Sequence, residues 1–130
     1  MSGMETAVQT AVFAALNQGI LAGIVFDQRP QEITTFPSVN IGEDVSTEWD
    51  TDDSVGGSFV VRIDTWSRTG GMKQTKELQA AIYDALHRAT LTQAGWIFVG
   101  CNFIQSRSMV EPDGKTRHGV SEFRILIERE

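Results

Sequence analysis

Between Met4 and Asn17 the apolar residues Val8, Val12 and Leu16 recur at every fourth position, with Ala11 and Ala15 beside them. That spacing lines one face of a helix. The small alanines predict close packing against a sheet, and Gly19 is placed to stop the helix in a left-handed conformation. Ile24-Val25-Phe26 is a short β-branched and aromatic run, closed by the turn-forming cluster Asp27-Gln28-Arg29-Pro30. In Phe36-Pro37-Ser38-Val39-Asn40-Ile41, Val39 and Ile41 alternate with polar neighbours. Pro37 fits the first residue of that strand or an edge, where a missing N–H does little harm. Ser58 to Trp66 alternates most clearly. Phe59, Val61 and Ile63 share one face; Val60, Arg62, Asp64 and Trp66 share the other.

A second helical pattern runs from about Met72 to Ala89, with Leu78, Ala81, Ile82, Ala85, Leu86 and Ala89 on one side. Lys73, Lys76, Glu77, Asp84 and Arg88 take the solvent side. Trp96 to Arg107 reads as a long strand, and Pro112-Asp113-Gly114 is a turn signal before a last strand, Val120 to Ile127. There Phe123, Ile125 and Ile127 alternate with Glu122, Arg124 and Glu128. The order α-β-β-β-α-β-β, ending in a hairpin, predicts an α+β fold: two helices packed on a largely antiparallel mixed sheet. At 130 residues the expectation is one domain spanning 1–130, with an acidic loop or arm at about 43–56.

The net charge of -6 has a local origin. Glu43, Asp44, Glu48, Asp50, Asp52 and Asp53 form a run with no base among them, and the remaining eleven acids balance eleven Lys and Arg. No basic stripe is left to neutralise phosphates, which argues against a primary nucleic-acid binder. No apolar run reaches the length of a membrane span, and the first residues carry no basic region ahead of an apolar core, so a soluble protein without a secretion signal is expected. The single Cys101 allows no internal disulfide, fits a reducing compartment, and sits in an apolar run as a small buried thiol does.

The stretch Asp64–Lys76 has the outline of a phosphate cradle: strand, paired glycines, Lys73, helix. A P-loop needs Gly, four residues, then Gly-Lys-Ser/Thr. Here the glycines adjoin, Met72 separates Gly71 from Lys73, and Gln74 follows the lysine. Gly70-Gly71 therefore reads as a strand-to-helix joint. A calcium loop started at Asp50 puts Val55 where Gly belongs and Val61 where a bidentate Glu belongs, so the EF-hand fails. His87 and His118 lack the spacing of a zinc site, and His87 fits a surface position near a helix C-terminus. No nucleophile elbow or triad appears. The expectation is a non-enzyme with no metal and no cofactor.

The combination of Phe36-Pro37-Ser38-Val39, then Val61–Gly71 with its Trp66-Ser67-Arg68-Thr69-Gly70-Gly71 string, then an Ala/Leu-rich helix resembles the tail-completion family. These are the tail terminator, or head–tail joining, proteins of long-tailed bacteriophages, prophages and gene transfer agents. The order of elements agrees over nearly the whole chain. The resemblance implies a tail-terminator-like fold and a viral structural protein that oligomerises as a ring, commonly a hexamer, on the completed tail tube. Its implied partners are further copies of itself, the tail tube protein and a head–tail connector or stopper, with DNA only as passing cargo and no membrane. The implied location is the head-proximal end of the virion tail, reached from the host cytoplasm during assembly.

In such a ring the acids of Glu43, Asp44, Glu48, Asp50, Asp52 and Asp53 would repel sliding DNA or meet bases on a neighbour. Trp49 would anchor an arm on that neighbour or tuck over its own domain. Arg62 and Arg68 are candidate partners for the acids. The alternative is a small-molecule or nucleotide-binding module built on the Gly70-Gly71 loop.

Overall fold

The computed structural model describes residues 3–26 and 35–130. Helix α1 (Met4–Leu16) leads through a 3-10 turn (Gly19–Leu21) to β1 (Val25–Phe26). Strands β2 (Ser38–Glu48) and β3 (Gly56–Ser67) follow, then helix α2 (Lys73–Leu86). Strands β4 (Thr92–Gln93), β5 (Trp96–Val110) and β6 (Arg117–Arg129) complete the chain. The strands form one six-stranded sheet in the order β1-β2-β3-β6-β5-β4, curled into a half-barrel. Among the described residues only β1 and β2 run parallel. The fold is α+β, as the order of patterns predicts.

Both helices bury one stripe against the same face of the sheet. Met4, Val8, Val12 and Leu16 of α1 and Leu78, Ile82 and Leu86 of α2 join Phe59, Val61 and Ile63 of β3 and Phe123, Ile125 and Ile127 of β6. The period-2 pattern works because β3 and β6 are neighbours in continuous register from Gly56↔Glu128 to Ser67↔Arg117. Residues directly opposite in an antiparallel pair project to one face, so each apolar row adds to a single core. Cys101 is buried in that core.

The structure revises several boundaries. Helix α1 ends at Leu16, not at Gly19: Gly19 has φ 58 but opens the 3-10 turn, and the Asn17 side chain accepts a hydrogen bond from the Gly23 N–H at 2.9 Å. Strand β6 begins three residues before Val120 and takes in His118. The two-residue β4 pairs with Trp96 and Ile97 around Gly95 and was not foreseen. The turn cluster Asp27–Pro30 lies outside the described residues. The largest revision concerns β2, which continues past Ile41 through a bulge and pairs with β3 as far as Glu48↔Gly57. The acidic segment is therefore an arm in the form of a β-hairpin, with only residues 49–55 as its connecting turn.

Strand β5 has β4 beside it only at Trp96 and Ile97. Along the rest of its outer edge, α2 takes the place of a strand. The Arg88 N–H donates to the Cys101 carbonyl at 2.7 Å, and the Gln79 side-chain amide donates to the Arg107 carbonyl at 2.9 Å. The Phe103 N–H donates to Nδ1 of His87 at 3.1 Å. His87 is thus half-buried, stacked on Tyr83, and part of the device that blunts an exposed strand edge.

Candidate interaction surfaces

The acidic hairpin gathers its residues at one end of the long β2–β3 ladder. Asp44, opposite Val61, and Glu48, opposite Gly57, project to the helix-bearing side; Val45, opposite Val60, projects to the bare side. The turn is ordered from within. Asp50 Oδ1 accepts the Gly56 N–H at 3.0 Å, the Thr51 N–H donates to the Ser54 carbonyl at 2.9 Å, and the Trp49 N–H donates to the Gly56 carbonyl at 2.9 Å. Gly56 is required by close approach: a Cβ there would run into the Trp49 carbonyl oxygen and lie 3.1 Å from the indole. Trp49 is half-buried against its own hairpin in the isolated chain. Among the described residues none of Glu43, Asp44, Glu48, Asp50, Asp52 and Asp53 forms an ion pair.

Arg62 and Arg68 do not meet these acids within one chain. Arg62 donates from Nε and a terminal nitrogen to Asp64 Oδ1, at 3.0 and 2.9 Å. Arg68 lies just past the far end of β3, at the opposite end of the strand from Gly56. Its guanidinium sits 4.4 Å above the Phe36 ring, donates to Thr116 Oγ1 at 3.1 Å and comes within 3.9 Å of Asp113.

At that far end the bare face carries a buried polar cluster that sequence reasoning did not assemble. His118 lies with Nε2 2.7 Å from Asp64 Oδ1 and Nδ1 2.8 Å from Glu111 Oε1. Its ring stacks on Trp66, which pairs with it across β3 and β6. Burial alone would raise the Asp64 pKa, but the hydrogen bonds from His118 and Arg62 outweigh it and hold the carboxyl below its ordinary value. The neighbouring turn is fixed by Asp113, whose carboxylate accepts the Lys115 and Thr116 N–H groups and the Thr116 hydroxyl. The Thr116 bonds lead in drawing the Asp113 pKa down to about 2. Together these contacts lash the β5–β6 turn to β3.

The Trp66–Gly71 string now has a physical reading, residue by residue. Trp66 carries the His118 stack. The Ser67 and Thr69 hydroxyls both reach Gln74 Oε1 at the start of α2. Arg68 binds the β5–β6 turn. Gly71 has φ 78, so the left-handed position in the joint belongs to Gly71 alone of the pair. Lys73 points to solvent and comes within 3.7 Å of Glu77, one helical turn on. Among the described residues no three His, Cys, Asp or Glu side chains are arranged to hold a metal ion. Burial pushes the Cys101 thiol up to about 12, which leaves it a poor nucleophile at neutral pH.

Comparison with known proteins agrees with this architecture. The family model described as tail completion protein gp17 matches residues 7–128. The tail completion protein gp17 of Bacillus phage SPP1 is 25% identical over 100 residues, covering 77% of this chain and 74% of the phage protein. Among solved structures, a chain from the virion of a native gene transfer agent particle superposes with a TM-score of 0.88 at 22% identity. That match covers 98% of this chain and 99% of the other, and it establishes the likeness of fold.

Proposed function

The chain belongs to the tail completion protein gp17 family, whose members are structural components of phage tails, and on that premise we propose that it self-assembles as a hexameric ring at the head-proximal end of the tail tube. There it meets the tail tube protein on one side and the connector or stopper on the other, having been recruited from the host cytoplasm during assembly. The carrying observation is the acidic hairpin. It concentrates Glu43, Asp44, Glu48, Asp50, Asp52 and Asp53 around the aromatic Trp49, and among the described residues none of the six acids has an ionic partner. A rigid β-arm with unneutralised charge and an aromatic residue is suited to reach another subunit. Any of those carboxylates left facing the lumen repels the DNA that passes through.

The work of such a protein is positional, and the geometry supports that reading over a nucleotide module. Gly70-Gly71 turns the chain into α2, and Lys73 is spent on Glu77 at the solvent surface. Co-sedimentation with purified tail tubes tests the proposal. The intact protein should pellet with tubes and occupy one end of each in electron micrographs. Protein that stays in the supernatant and leaves tube ends bare would overturn it.

A further inference from the structure

Both helices cover one face of the sheet, and the other face has a bare end near the acidic hairpin. Register places its side chains in rows. Val45, Val60, Arg124 and Asn102 form one; Thr47, Ser58, Leu126 and Gly100 form the next; Ile97 lies beside Glu128 in a third. Val45 is 66% exposed and Ile97 48%. A solvated antiparallel face normally alternates to polar residues, so Val45, Val60, Leu126 and Ile97 make an apolar strip where water would favour none. Arg124 stands within it, and Arg107 lies on the same face opposite Val120. Both arginines are exposed, and among the described residues neither forms an ion pair; Glu122, which accepts a hydrogen bond from the Gln105 side chain, and Glu128 share the face with them.

The hairpin's acids and these two arginines are thus without ionic partners in one chain, and its own geometry keeps them apart. Asp44 and Glu48 project to the helix-bearing side and Asp52 and Asp53 sit on the turn, whereas Arg124 and Arg107 project to the bare side. Only a second molecule can bring them together. We propose that the bare face around Val60, Leu126, Arg124 and Arg107 is the seat for the acidic hairpin of a second copy of this chain. Trp49 of the incoming hairpin covers the apolar strip, and its carboxylates meet the two arginines. Because hairpin and seat are different surfaces, the contact is head-to-tail and repeats from copy to copy, as a closed ring requires. The inference rests on the self-assembly reading above and names the partner surface in it.

Disulfide trapping between two variants of the full chain tests it. Asn102→Cys places a thiol on the seat beside Arg124, and Asp52→Cys places one on the hairpin tip; the buried native Cys101 stays unreactive. Mixed and oxidised on tail tubes or at high protein concentration in low salt, the two should give a cross-linked heterodimer. Adding Arg107→Glu and Arg124→Glu to the seat partner should lower its yield about tenfold, and Asp44→Lys with Asp53→Lys on the hairpin partner should restore it. Absence of the cross-link overturns this inference, as does a yield indifferent to the charge reversals. If tube binding persists in either case, the tail-end function survives while this interface does not; loss of tube binding by the unmodified protein instead defeats the function itself.

Discussion

The imidazole of His118 lies flat on the indole of Trp66, with ring centroids 3.8 Å apart and planes 12° apart. The stack seals one side of a cluster in which both ring nitrogens face carboxylates. His118→Ala removes the stack and both hydrogen bonds and leaves Asp64 to Arg62 alone. The expected loss is about 2–3 kcal/mol in chemical denaturation, given what hydrogen bonds to charged groups contribute. His118→Phe keeps the stacking and not the bonds, and should fall between that variant and the wild type.

Acid should find the same region. The folded pKa of Asp64 lies below its ordinary value of 3.8, and that of Asp113 is near 2. A carboxylate depressed by folding stabilises the native state above the ordinary value and ceases to do so as pH falls through the folded one. Denaturation midpoints should therefore drop as pH falls below about 4. The drop should be shallower in Asp64→Asn and in Asp113→Asn. Parallel profiles for wild type and both variants would contradict the assignment.

The strand-to-helix joint separates two substitutions two residues apart. Gly71 is exposed with open space where a Cβ would go, so any penalty there comes from its positive φ. Gly71→Val should cost about 2 kcal/mol or more. Lys73→Ala forfeits only an exposed i,i+4 pair and should change stability by no more than about 0.5 kcal/mol. Thermal melts of the two variants decide the matter, and equal tolerance would remove the joint as a structural determinant.

Cys101 offers a simple check of the core. With its thiol pushed up to about 12 and buried against the sheet, it should resist iodoacetamide at pH 8 in the native protein. Denaturant should expose it to alkylation, as mass spectrometry would record.

How far these features can be read in the sequence depends on how local their causes are. The core rows of β3 and β6 were legible because Phe59, Val61, Ile63, Phe123, Ile125 and Ile127 alternate with polar residues on strands buried on one side. The second half of β2 was not. Glu43 to Glu48 holds only Val45 as an apolar residue, and backbone pairing with β3 keeps it extended. Strand β4 is too short to leave a pattern. The His118 cluster joins residues 54 and 7 positions apart; the register of β3 with β6 brings in Asp64, and the β5–β6 hairpin brings in Glu111. For the acidic arm, charge and an isolated Trp49 were visible in sequence, while the direction each carboxylate faces emerged only with the hairpin.

We propose that this chain works as a structural part at the end of a tail, and cryo-electron microscopy of the parent particle decides it. The density should show a ring of copies of this fold around the channel at the head-proximal end of the tube, each contributing its Glu43–Asp53 hairpin to a neighbour. A particle in which that position is filled by another fold, or in which this chain is absent from the tail, would contradict it.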